Sequence, residues 1–339
     1  MGKINGNSLL MKEVNTNIVR NALREERAAT KQKLSEKTGL SIVTVGSILN
    51  QLLENNEIYE DKLIPSNGGR PAHRFCYNKD FSKILTVCTY EFKGADTASF
   101  CIRNLFGEII EKKEEILKNP DIKTFEDITD KFIKKYSDIK AIGFSMPGEE
   151  NNGKIILHDY EKLNNLKFTE HFEKLYNIPV IFENDVNAAV AGYCKNSGKK
   201  SLSSVIYIYF PKKYPPGAGI YLDNRLYKGF NGTAGEIKYI PIGVDWNNMD
   251  YSLNENIINS AGKLLTAVSA MFNPQEIIIC GYFFTEKILK EIKKICRNSL
   301  KEVFVPEISL SKNFIYDFEK GITELTLDLL IPKLSLQDK

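Results

Sequence analysis

From residue 84 onward the chain repeats one pattern twice, and that repetition limits the folds open to it. Short apolar runs at 84–89, 97–103 and 107–110 read as consecutive strands of a meander. A helix follows over 124–136, then a buried strand at 141–145 that ends in Met146-Pro147-Gly148. A helix at 169–176 leads to a strand at 179–182, after which Glu183-Asn184-Asp185 opens a helix over 186–195. The pattern then recurs, with strands at 205–209, 219–222 and 225–227, a helix at 257–272, a strand at 276–280 and a helix at 285–300. Two halves, each a meander followed by alternating helices and strands, predict two α/β lobes with a cleft between them.

The first 80 residues follow a different rule. Residues 30–55 read as helix, tight turn and second helix: Thr30 and Ser41 are N-cap residue types, and Gly39 suits the turn between the helices. Leu34, Leu40, Val45, Ile48, Leu49, Leu52 and Leu53 form the apolar stripe that packs the unit. The second helix then presents Ser41, Ile42, Val43, Thr44 and Ser47 near its N-terminal end, where a recognition helix meets base edges. These small polar and β-branched groups can touch a thymine methyl or make single hydrogen bonds, and no Arg or Asn stands among them for bidentate reading of a purine.

Strands at 57–60 and 73–77 flank Ser66-Asn67-Gly68-Gly69-Arg70-Pro71 as a β-wing. Gly68 and Gly69 let the backbone approach a phosphate, and Arg70 is placed to enter a minor groove. A helical protein-interaction unit with an ordinary hairpin tip is the alternative. Charge leans towards DNA: residues 1–80 carry 12 Lys and Arg against 9 Asp and Glu, and the remainder balances at 34 of each. The whole net charge of +3 therefore sits in the N-terminal end. So small an excess calls for a dimer to accumulate phosphate contacts.

With 42% hydrophobic and 26% charged residues, 339 residues suffice for two or three domains. No apolar run has the length of a membrane span, and the first residues lack the apolar core of a secretory signal, so a cytoplasmic protein without membrane partners is expected. Cys76, Cys88, Cys101, Cys194, Cys280 and Cys296 are widely spread, mostly in apolar runs, and read as buried thiols.

Three segments carry a family resemblance. They are 66–71; Glu183-Asn184-Asp185-Val186-Asn187-Ala188-Ala189; and 217–229 leading into Asn231-Gly232-Thr233-Ala234-Gly235-Glu236-Ile237. In these segments, and in element order over essentially its whole length, the chain resembles the ROK family, whose members are sugar kinases or transcriptional repressors. The resemblance, to the repressor branch, implies an α/β chain with an N-terminal winged helix-turn-helix (1–80). A two-lobed actin-like, ribonuclease H-like ATPase fold would follow, with lobes at 81–190 and 191–339.

Phosphoryl transfer requires close backbone N–H groups around the phosphates, hence glycine-rich turns. The family's three such turns are altered here. The first reads Cys88-Thr89-Tyr90-Glu91-Phe92-Lys93-Gly94-Ala95-Asp96-Thr97, the second Phe210-Pro211-Lys212-Lys213-Tyr214-Pro215-Pro216, and the third Cys280-Gly281-Tyr282-Phe283-Phe284. Bulky side chains fill the first, prolines remove N–H donors from the second, and one glycine survives in the third. No ATP, no cofactor and no enzymatic activity are therefore expected.

The sugar side keeps more of the family's pattern. Asp185 stands where the kinases place the general base, and without ATP it would accept a hydrogen bond. Asn184 and Glu236 add donor and acceptor groups, Gly148 matches a turn over the sugar ring, and Asp159 or Tyr160 takes the place of a further asparagine. Asn184 and Asp185 as plain helix caps, and Glu236 as a surface charge, are the bland alternatives.

Members with structural zinc show a histidine where this chain has Tyr239, then a cysteine cluster where 240–251 has none, so no metal is expected. Tyr239 joins the candidate ligand residues at that position. The expected function is a dimeric or tetrameric repressor on a double-stranded DNA operator, with a carbohydrate effector. A sugar kinase with an appended domain, and a regulator under control of a protein partner, are the alternatives.

Overall fold

The computed structural model describes residues 4–64, 72–156, 160–199, 202–212 and 214–331. Its N-terminal part runs α1 (Ile4–Glu26), β1 (Ala28–Thr30), α2 (Lys31–Thr38), α3 (Ile42–Glu54), β2 (Ile58–Ile64) and β3 (Ala72–Tyr77). The strands form an antiparallel sheet in the order β1-β3-β2. Thr30 accepts from Lys33 N and Ser41 from Thr44 N as N-caps, and Gly39 at φ 71° ends α2. Leu34, Val45, Ile48, Leu49 and Leu52 are buried as expected, and Leu40 and Leu53 pack partly exposed against them.

Helix α1 and strand β1 escape the sequence reading. The 23-residue α1 is rich in Asn, a weak helix former, so tertiary burial of Val19, Ala22 and Leu23 sustains it.

The first lobe holds β4 (Lys83–Phe92), β5 (Ala95–Asn104), β6 (Ile109–Ile116), α4 (Ile122–Lys135), β7 (Ile139–Ser145), β8 (Glu149–Asn151), β9 (Lys154–Ile156), α5 (Phe168–Tyr176), β10 (Val180–Glu183) and α6 (Asp185–Asn196). The second holds β11 (Ser204–Tyr209), β12 (Gly217–Leu222), β13 (Arg225–Leu226), α7 (Asn254–Phe272), β14 (Glu276–Cys280), α8 (Glu286–Ser299), β15 (Glu307–Leu310) and α9 (Phe314–Asp328). The two five-stranded sheets, β10-β7-β4-β5-β6 and β13-β12-β11-β14-β15, share one topology. In each, an antiparallel meander continues into two parallel strands beside its first strand.

Strand alternation gives each sheet two apolar faces. In the first lobe Leu85, Val87, Ile142 and Phe144 pack under α4 and α5, through Phe125, Phe132, Phe168 and Phe172. In the second, Ile206, Ile208, Ile277 and Ile279 pack under α7 and α8. Each such side chain contributes about 1.5–3 kcal/mol on full burial.

The inner faces are covered crosswise. Helix α6 follows the first sheet but lies on β11 and β12, whereas α9 follows the second sheet but lies on β4, β7 and β10. The two helices cross at backbone contact: a Cβ on Gly321 would stand 1.7 Å from Ala188 O, and one on Gly192 would stand 2.0 Å from Asp317 O.

Helix α9 also links distant regions. Phe314 at its start lines the cleft, and Leu327 near its end joins a core with Val19, Leu34, Leu49 and Phe75 of the N-terminal part and Ile84 and Ala141 of the first sheet. At 1.5 Å per residue its 15 residues span about 22 Å. Neither α9 nor β15 is predicted from sequence. Among the described residues, no helix is long and apolar enough to cross a membrane.

Candidate functional site

The α3 surface is the first place to find the expected residues. Ser41 Oγ accepts from Thr44 N at 3.1 Å and shares a 2.9 Å hydrogen bond with Thr44 Oγ1, so capping occupies both side chains. Ile42 and Val43 are 55% and 82% exposed, two apolar side chains facing solvent. Ser47 and Asn50 are exposed further along the helix. The spacing 43, 47, 50 puts Asn50 on the same helical face as Val43 and Ser47. Gly68, Gly69 and Arg70 lie outside the described residues.

The second place is a cavity of about 720 Å³ between the lobes, at the C-terminal ends of the parallel strands of both sheets. Gly148, Asn184, Asp185, Glu236 and Tyr239 all line it. Asp159 lies outside the described residues, and the alternative at that position, Tyr160, is in the lining.

Local chemistry explains how these residues are held. Asn184 caps α6, its Oδ1 accepting from Val186 N at 2.9 Å and Asn187 N at 3.2 Å. Its Nδ2 donates to Gly148 O at 3.2 Å, which ties the 147–148 turn to the helix N-terminus. Asp185 Oδ1 accepts from Val186 N at 2.9 Å. The cap reading of these two residues is thus present in the geometry, alongside their position in the cavity wall.

Gly235 has φ 103°, and a Cβ there would meet Ala218 O at 1.9 Å; only glycine lets this turn lie on β12 and carry Glu236 into the cleft. Glu236 pairs with Lys238 at 2.8 Å, and Tyr239 is 76% exposed at the rim.

Sequence reasoning missed the carboxylates beneath. Glu183 is buried, accepting from Asn184 N at 3.1 Å and Asn187 Nδ2 at 3.2 Å, and its other oxygen pairs with Lys228 of the second lobe at 2.7 Å. Glu149 is only 7% exposed and lines the cavity. Burial foremost, then the Glu183 charge, pushes its carboxyl up to about 9, against the pull of Lys228. Glu149 therefore stands protonated at neutral pH and can donate a hydrogen bond. Its one signal in the sequence is its place directly after Pro147-Gly148, which neighbouring Glu150 nearly shares. Among the described residues, no group of three or more His, Cys, Asp and Glu side chains is placed to hold a metal ion.

The three altered turns reach the same cavity through Tyr90, Glu91, Lys93 and Gly94, through 210–212 and 214–217, and through Tyr282. At the first, β4 and β5 stay paired up to Phe92 and Ala95. The hairpin is closed by Lys93 (φ 51°) and Gly94 (φ 84°), a two-residue turn with positive φ at both positions. It offers no open run of N–H groups of the kind that cradles phosphate. Tyr209 stacks on Phe314 at 3.7 Å between ring centroids, and Lys212 Nζ lies 4.6 Å over the Tyr282 ring.

Known proteins share this architecture. The ROK family profile matches residues 93–250. The xylose repressor of Caldicellulosiruptor bescii is 27% identical over 253 residues, covering 70% of this chain and 61% of the repressor. The N-acetylglucosamine repressor of Escherichia coli O157:H7 is 22% identical over 248 residues, covering 70% and 59%. The chain thus spans about three fifths of the length of these curated relatives. A crystal structure described as a ROK family transcriptional regulator, a homologue of the E. coli Mlc protein, superposes with a TM-score of 0.74 at 17% identity, over 95% of this chain and 98% of that one. A ROK family glucokinase from Streptomyces griseus, in complex with glucose and AMPPNP, gives a TM-score of 0.54 at 14% identity over 73% and 100%. The two structures share its fold, and over residues 93–250 the chain matches the ROK family.

Proposed function

We propose that this chain is a sequence-specific DNA-binding transcriptional regulator, a repressor working in the cytoplasm, whose cleft senses a sugar or sugar derivative without phosphorylating it. One observation carries the reading: an exposed helix face at Ile42, Val43 and Ser47 coexists with a cleft whose phosphate turns are filled by tyrosines and prolines. The likeness to xylose and N-acetylglucosamine repressors supports it. In this reading residues 1–80 are a winged helix-turn-helix, 81–190 and 191–339 are the lobes of an actin-like fold, and two copies bind a palindromic operator. Residue 190 lies within α6, the helix that lies on the second sheet.

DNA contact falls to Ile42, Val43 and Ser47, with Gly68, Gly69 and Arg70 at the wing. The sugar falls to Gly148, Asp185, Glu236 and Tyr239, with Asn184 holding the turn. Helix α9, seated in both the cleft and the N-terminal core, is the element through which lobe movement reaches the DNA-binding part. An effector shifts that equilibrium only through unequal affinity for the two states.

Val43→Glu puts a charge on the groove-facing surface without touching the core. It should weaken binding to a genomic operator fragment at least tenfold by fluorescence anisotropy, while stability changes by no more than about 0.5 kcal/mol. Unchanged affinity would remove α3 from the interface. Arg70→Ala should weaken binding and lower its salt sensitivity. With ATP, magnesium and a hexose panel the protein should release no ADP above background; sustained release would restore the kinase reading.

A further inference from the structure

The cavity is larger than one sugar ring requires. Its 720 Å³ lies well inside the range of about 300–1,000 Å³ that holds drug-sized ligands, and is several times the volume of one pyranose. The altered turns and the strand end beside them add Tyr90, Tyr209, Tyr214 and Tyr282 to its lining, together with Glu91 and Lys93. We propose that the cleft takes a saccharide of two or more rings, the first at Asp185 and Glu236 and the next against this tyrosine wall. The proposal rests on the sugar-sensing reading above.

Three features suit saccharide rings there, and the last of them speaks against a nucleotide. Tyr282 is 63% exposed yet held in place, its ring 3.9 Å from that of Phe283 and covered by Lys212 on the lobe's rim. Tyr209 is fixed by its stack on Phe314. Rigid aromatic faces lose little entropy on binding and suit the C–H face of a pyranose, while the charged side chains between them meet its hydroxyls. A nucleotide would bring phosphates to a loop where Pro211, Pro215 and Pro216 have no N–H to give, and to a hairpin closed by two residues.

The test uses the full chain and calorimetric titration with three series: xylose, xylobiose and xylotriose; glucose, cellobiose and cellotriose; N-acetylglucosamine and its β-1,4 dimer and trimer. In one series the dimer or trimer should bind about tenfold or more tighter than its monomer. Tyr282→Ala, at an exposed position, should bring the longer sugar down to the monomer's affinity and leave the monomer unchanged. Asp185→Asn should weaken every member of the series.

A monomer binding as tightly as its oligomers, with Tyr282→Ala without effect, would overturn the extended site and leave sugar sensing intact. ADP binding that is lost in Tyr282→Ala would also overturn it, making the wall a nucleotide site. If no sugar of any length binds, and none raises the melting temperature, the sensing reading itself falls and the extended site with it.

Discussion

Gly321→Leu should destabilise the protein by about 3 kcal/mol or more, measured by urea denaturation, and so exceed the usual effect of a single substitution. The reason is the crossing of α6 and α9. A bare Cβ at 321 would already stand 1.7 Å from Ala188 O and 2.9 Å from Gly192 N, and these are backbone atoms that no rotamer change can move aside. Leucine must push the helices apart, opening the core where Val190, Tyr207, Ile278, Phe318 and Ile322 meet. Asp317 is buried one turn earlier, accepting from Tyr207 Oη at 2.9 Å and from Ser311, and burial holds its carboxyl above the usual range. Loss of those hydrogen bonds adds to the cost. Tyr316→Ala, on the exposed side of the same helix, should stay within about 0.5 kcal/mol. Equal effects for the two substitutions would show that the crossing tolerates separation.

Glu149→Gln should stabilise the protein and flatten its pH profile. The carboxyl titrates at about 9 in the folded chain against 4.5 in the unfolded one, so between those limits the folded state holds a proton that the unfolded state has released. Folding stability from this group is therefore fully present below about pH 4.5, falls as pH rises towards 9, and levels off above it. Glutamine cannot ionise. The variant's advantage should be near zero at pH 4.5 and reach on the order of 1–3 kcal/mol at pH 7, seen as a rise of several degrees in melting temperature. Parallel profiles for the two proteins from pH 5 to 9 would show that Glu149 is ionised at neutral pH. Such a gain also marks Glu149 as a residue kept for the cleft at the expense of stability.

What was legible in the sequence follows from how each element is covered. Strands β4, β7, β11 and β14 are short apolar runs buried on both faces, and α4 and α8 have one apolar stripe, so pattern alone located them. The buried face of α9 is mixed, Phe314, Phe318 and Ile322 sharing it with Asp317, Gly321 and Thr326. The helix is enclosed by the first sheet on one side and α6 on the other, and it carries Gly321, Ile322, Thr323 and Thr326, which weaken any helical signal. Helix α1 was hidden by its asparagines for a similar reason.

Gly148, Asn184, Asp185 and Glu236 were readable because they sit in contiguous motifs, and the fold brings them to one cavity. Glu149 and Lys228 became visible only through burial and a contact made across the lobes. The tyrosine wall was legible as the loss of glycines; that the replacements line one surface required the fold.

The crosswise placement of α6 and α9 also bears on how the chain is made. The first sheet stays bare on its inner face until residues 314–328 have left the ribosome, and the N-terminal core waits for Leu327 in the same helix. The N-terminal part therefore precedes in the chain the residues that complete its core. Its final packing depends on contacts more than 240 residues apart, such as Leu327 with Ile84, so an interrupted chain carries α1–α3 without that support.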